Sequence, residues 1–160
     1  MNIRTHNSLL TMITKVQIDQ FFSSPVALAG VSRNPKKFGY MAFQTMLEKN
    51  RYDLYPVNPN AGEIAGKKCY PDVASLPSQV QSILIMTGKQ QTAEVVKQAL
   101  AKGLKNIWLQ QGSENPEALK FAREAGVNLI HGKCIMMFAE PRGIHKFHRS
   151  IVKFFGGLPK

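Results

Sequence analysis

Eight consecutive residues, Ser32-Arg-Asn-Pro-Lys-Lys-Phe-Gly39, concentrate the groups best suited to hold an anion. Arg33, Lys36 and Lys37 supply three cations. Gly30, Ser32, Asn34 and Pro35 are turn formers, and they follow an apolar run, Val26 to Val31. After Gly39 the segment Tyr40–Lys49 has helical spacing. A strand, a basic loop and a helix make a phosphate site, because free backbone N–H groups and the positive end of the helix dipole point at the loop. These residues therefore predict a nucleotide-like, anionic small molecule as ligand.

Other reactive residues form weaker patterns. Cys134 follows His131 and Lys133, and a neighbouring cation favours thiolate. Exchange with a ligand thiol is one reading of Cys134; a buried structural thiol is the more ordinary one. Cys69 precedes Tyr70-Pro71 and offers less. His131 has no Asp or Ser in an evident relay with it, and core packing is its ordinary role. The two cysteines make no CxxC pair, and histidines at 6, 131, 145 and 148 give no metal-ligand spacing. Paired carboxylates and a nucleophile elbow are also missing from the pattern. No catalytic residue and no metal are expected, and a non-catalytic binding role is preferred over an enzyme.

The elements that would position these residues alternate between strand and helix. Strands are expected at 26–31, 52–57, 82–86, 106–109 and 127–130, with helices at 17–22, 40–49, 91–102 and from Ser113 or Asn115 to Ala125. Near-continuous apolar strands suit a sheet covered on both faces. Helices of ten or so residues between them imply right-handed crossovers and parallel pairing. Gly103 and Gly126 stand where helix C-caps belong. The stretch 61–76 reads as irregular, with turns near Gly66 and Pro71. The fold class is thus α/β, a Rossmann-like three-layer arrangement on a mostly parallel five-stranded sheet, with ligand-binding loops at the strand ends.

The chain of 160 residues is the length of one domain, and its net charge is +11. Five of the cations, Arg142, Lys146, Arg149, Lys153 and Lys160, lie in the last twenty residues, which hold no acid. There Ile144, Phe147, Ile151 and Phe154 or Phe155 recur at helical spacing and predict a basic amphipathic C-terminal helix. Docking on its own domain or on a second copy, giving a homodimer, is the preferred role. Nucleic acid or an acidic membrane surface are less favoured alternatives. Residues 1–16 are expected as a flexible lead, read either as a weak transit peptide or as sequence upstream of a start at Met12; residues 17–140 form the domain and 141–160 the tail. No stretch reaches the roughly 18 apolar residues of a membrane span. Reduced cysteines and a cytoplasmic location are the expectation.

A nicotinamide dinucleotide fits poorly. Its GxGxxG turn needs glycines at fixed spacing, but the glycine after Gly30 is Gly39. The acid expected about 20 residues on, for the ribose hydroxyls, is replaced by Val57-Asn58-Pro59-Asn60. A ligand with an additional phosphate on its ribose suits this better.

The combination of Gly30-Val-Ser-Arg-Asn-Pro-Lys-Lys-Phe-Gly39, Tyr55-Pro-Val-Asn-Pro59, Cys69-Tyr-Pro71, Trp108-Leu-Gln-Gln-Gly-Ser-Glu114 and His131-Gly-Lys-Cys134 resembles the small CoA-binding proteins related to the N-terminal domain of the succinyl-CoA synthetase alpha subunit. The resemblance covers roughly residues 17–138. It implies a Rossmann-like fold with coenzyme A or acyl-CoA at the strand ends. It implies Ser32, Arg33, Asn34, Pro35, Lys36 and Lys37 near the phosphates, with Phe38 and Gly39 closing that loop. Asn58, Pro59, Asn60 and Ala61, with Gln110 and Gln111, would line the remainder. Phe38 could stack on a purine, although packing is the commoner role of such an aromatic. Where relatives often have prolines after the third strand, this chain has Thr87-Gly88-Lys89, and Lys89 could add a contact to phosphate or carboxylate. The synthetase keeps its phosphorylated histidine and partner surface in other domains, so its reaction does not carry over.

Overall fold

The computed structural model describes residues 13–139. Its first element, α1 (Lys15–Phe21), begins two residues before the apolar pattern starts, because Thr14 closes a capping box with Gln17. The chain continues through β1 (Val26–Ala29), α2 (Phe38–Glu48), β2 (Leu54–Val57), β3 (Glu63–Ile64), β4 (Lys67–Lys68), β5 (Ser82–Ile85), α3 (Lys89–Lys102), β6 (Asn106–Gln110), α4 (Pro116–Glu124), β7 (Asn128–Lys133) and α5 (Met136–Ala139). The five long strands form one sheet in the order β2-β1-β5-β6-β7. Every pairing in it is parallel, so "mostly parallel" becomes entirely parallel among the described residues.

Strand parity sorts the core into two clusters. Val26, Leu28, Leu84, Trp108 and Ile130 join Phe21, Phe43, Met46 and Ile135, which belong to α1, α2 and the turn before α5. Ala27, Ala29, Ile83, Ile85, Ile107 and Leu109 join Val96, Ala99, Ala118 and Ala122 of α3 and α4. The sheet is therefore covered on both faces, which explains the unbroken apolar strands. Each large side chain fully buried this way contributes ~1.5–3 kcal/mol.

The largest departure from expectation is in 61–76. There β3 and β4 pair antiparallel as a small hairpin. Its two linking residues, Ala65 and Gly66, both have positive φ (49° and 76°). That geometry fits a two-residue hairpin loop, but Ala-Gly is a weak signal for it and each strand is only two residues long. β7 also runs three residues past Ile130. Its end is held by Lys133, whose carbonyl accepts from Trp108 Nε1 at 3.1 Å and from the Gln111 amide at 3.2 Å. The capping glycine was legible: Gly103 ends α3 with φ 84° and its N–H returns to Ala99 and Leu100. The expected C-terminal helix of 141–160 and the first twelve residues of the lead lie outside the described residues.

Two glycines fix the junction of β1, α2 and β5. Gly30 has φ 90°, and a Cβ there would stand 2.6 Å from the carbonyl carbon of Met86. A Cβ on Gly39 would stand 2.2 Å from the carbonyl oxygen of Gly30. The backbone of α2 therefore lies directly on the end of β1, which only glycine permits.

Candidate functional site

In this sheet β1 leads outward to β2, and the chain then returns to β5 on the other side of β1. The strand order reverses between β1 and β5, and such switch points open a crevice at the carboxyl ends of the strands. An open cleft of about 720 Å³ lies there. Its lining comes from the end of β1 (Ala29 to Ser32), the end of β2 (Val57 to Asn60), Pro71 to Val73, Thr87 after β5, and Gln91, Val95 and Gln98 of α3. That volume is within the range of small-molecule and cofactor sites.

Asn58 ties the two halves of this mouth together. Its Nδ2 donates to the Val31 carbonyl at 2.8 Å and its Oδ1 accepts from the Asn60 amide at 2.7 Å. The basic loop is braced from within. Ser32 Oγ accepts from the Asn34 amide at 3.0 Å, and Asn34 Oδ1 accepts from the Lys36 amide at 2.9 Å. These bonds hold the loop open while Arg33, Lys36 and Lys37 extend into solvent. None of the three makes an ion pair or side-chain hydrogen bond among the described residues.

The helix starts differ in a way that matters for an anion. Thr14 caps α1 and Asn115 caps α4 with side-chain oxygens. Lys37 before α2 and Gly88 before α3 make no side-chain cap bond. Of these four helices, the two without such caps follow β1 and β5, the strands on either side of the switch point. An approaching anion would meet their amide dipoles.

Of the expected site residues, Ser32, Asn58, Pro59 and Asn60 line the cleft. Arg33, Asn34, Pro35, Lys36 and Lys37 form the exposed loop that leaves it. Gly39 is buried in the first turn of α2 against the end of β1, where its role is close packing, and Phe38 is half-buried against the core. Lys89 begins α3 and is exposed; its carbonyl accepts from Asn115 Nδ2.

The remaining four lie off the cleft, Ala61 half-buried against the cluster of Phe43 and Met46. Gln110 is only 3% exposed, and its Oε1 accepts from the Ile135 amide at 3.0 Å. By parity along β6 its side chain falls on the Trp108 face of the sheet, opposite the face of α3. Gln111 is exposed at the β6 end. Cys134 is 5% exposed within the apolar cluster, and thiol exchange there would require an opening of that cluster.

Cys69 is also buried, behind the β2 end, and its thiol is pushed up by burial. His131 belongs to a separate group at the end of β7. Burial and the nearby Arg123 hold its pKa below the usual value, against the opposing pull of Glu114. Glu114 clamps the β6 and β7 loops together, accepting from Gly112 at 2.8 Å and Gly132 at 2.7 Å.

Sequence reasoning missed Asp72, Val73, Gln91, Val95 and Gln98 as cleft residues. The last three sit at i, i+4 and i+7 on one face of α3, a spacing that was available to read. Asp72 carried no such signal, since only the tertiary fold returns it to the β2 end. Among the described residues no group of three or more His, Cys, Asp or Glu could hold a metal ion, and no helix is long and apolar enough to cross a membrane.

The family model described as CoA binding domain matches residues 24–140. Among curated proteins, the chain is similar to the alpha subunit of ADP-forming acetate–CoA ligase II of Pyrococcus furiosus. The identity is 28% over 129 residues, covering 74% of this chain and 28% of that subunit. ADP-forming acetate–CoA ligase II of Archaeoglobus fulgidus is 29% identical over 124 residues, 70% of this chain and 18% of that protein. The chain thus spans less than a third of the length of these relatives. Among solved structures, a hypothetical protein from Pyrococcus horikoshii is 32% identical, with 90% of this chain and 94% of that one covered and a TM-score of 0.71. The dinucleotide-forming acetyl-coenzyme A synthetase 1 of Ca. Korarchaeum cryptofilum is 27% identical over 69% of this chain and 26% of that one, with a TM-score of 0.61.

Proposed function

The chain belongs to the CoA-binding domain family, and on that footing we propose that it binds coenzyme A or an acyl-CoA at the switch-point cleft without itself catalysing a reaction. The observation that carries the reading is the division of charge at this mouth. Among the described residues, three cations without partners stand on the loop after β1, while no lysine or arginine lines the cleft itself. The ligand's phosphates belong at the rim, on Arg33, Lys36 and Lys37 and over the starts of α2 and α3. Its uncharged portion belongs among Val57, Val73 and Val95. Charge-assisted hydrogen bonds to phosphate are about twice as strong as neutral ones, and the Ser32 hydroxyl hydrogen is also available to donate.

Calorimetry with coenzyme A, dephospho-coenzyme A and NAD tests this reading. Coenzyme A should bind about tenfold or more tightly than dephospho-coenzyme A, and NAD weakest, because the ribose phosphate adds a charge-assisted contact worth ~1.4 kcal/mol or more. Equal affinity for all three would refute recognition of that phosphate.

The names of the ligase relatives support a second reading, in which this chain supplies the CoA-holding part of a ligase assembled from separate chains. By its name, the Pyrococcus furiosus relative is one subunit of such a ligase. A cytoplasmic location fits either reading.

A further inference from the structure

We infer that Asp72 reads the amino group of the ligand's adenine base, and so fixes which way round the nucleotide lies. This rests on the coenzyme A reading and adds to it the residue that recognises the base. Among the described residues Asp72 is the one charged residue lining the cleft, and it is an acid. Its Oδ1 accepts from the Ser75 amide at 2.8 Å, which holds the carboxylate in place at the start of a turn. Its Oδ2 has no partner among the described residues. Lys102, which reaches the same turn, is engaged by the Ala74 carbonyl at 2.8 Å and does not line the cleft.

A carboxylate is an acceptor only. Opposite it, an exocyclic amine is satisfied and a phosphate is repelled. The cleft walls beside it, Val57, Val73 and Val95, are apolar and suit the faces of a base. The cations are gathered instead on the loop between β1 and α2. A nucleotide therefore gains from one orientation only: base on the β2 side of the cleft with its amine on the exposed Asp72 carboxylate, phosphates on Arg33, Lys36 and Lys37 on the β1 side. Reversal would set phosphate against carboxylate and leave the loop cations unpaired.

The test compares coenzyme A with its 1,N6-etheno analogue, in which the bridge removes the amine hydrogens, on the full chain and on Asp72→Ser. Serine keeps an oxygen for the Ser75 amide while removing the carboxylate and opening space, and an unchanged Tm verifies that the turn survives. The native chain should bind coenzyme A about tenfold or more tightly than the etheno analogue. In Asp72→Ser the two should come within about threefold of each other. Coenzyme A and the analogue binding equally to the native chain would overturn the base assignment alone. Failure of coenzyme A to bind would overturn both this assignment and the proposed function.

Discussion

Gly39→Ala is expected to destabilise the fold by about 3 kcal/mol or more, and with it to lose ligand binding. The added methyl would sit 2.2 Å from the Gly30 carbonyl oxygen and 3.3 Å from the Val31 Cα. Both neighbours are backbone atoms just past the end of β1, so no rotamer change relieves the contact. Relief requires α2 to lift from the sheet, which would open the cluster of Phe43 and Met46 against Leu28. Domains are stable by only ~5–15 kcal/mol, so a loss of this size shifts a urea midpoint clearly. Gly62→Ala is the control. A Cβ there meets nothing within 4 Å and no left-handed φ is involved. Its effect should stay within about 0.5 kcal/mol.

The triple substitution of Arg33, Lys36 and Lys37 by alanine should leave stability within about 0.5 kcal/mol, because all three are exposed and unpaired. Coenzyme A affinity should nevertheless fall on the order of 100-fold, at ~1 kcal/mol for each solvent-exposed contact to phosphate. The residual binding should depend less on salt than that of the native chain, since exposed charges are the ones that ions screen. Calorimetry at two salt concentrations reads both effects. Affinity within threefold of native would place the phosphates elsewhere.

These two predictions separate what local sequence could reveal from what it could not. The basic loop was legible because strand, turn formers and helix follow one another in the chain. The helix ends at Gly103 and Asn115 were legible for the same reason: a cap is a local event. The spacing of Gly30 and Gly39 read only as the absence of a dinucleotide turn. In the fold the pair carries out two of the tasks of such glycines, a tight turn and close helix packing, across a longer loop. Gln110 and Cys134 looked like cleft residues because they end strands. Ending a strand does not say which face a side chain takes, nor how far its strand lies from the switch point. Gln110 falls on the opposite face, and Cys134 follows β7, the strand at the far edge of the sheet. Asp72 was invisible for the converse reason: the chain leaves β2, makes the hairpin, and only then returns through Tyr70, which bridges to Val57.

NMR mapping of backbone amide shifts during titration with coenzyme A tests the location of the site most directly. Changes should centre on residues 31–39, 58–60, 71–73 and 87–91, around the switch point between β1 and β5. Changes centred instead on 110–114 and 131–134, at the ends of β6 and β7, or no changes at saturating ligand, would contradict it.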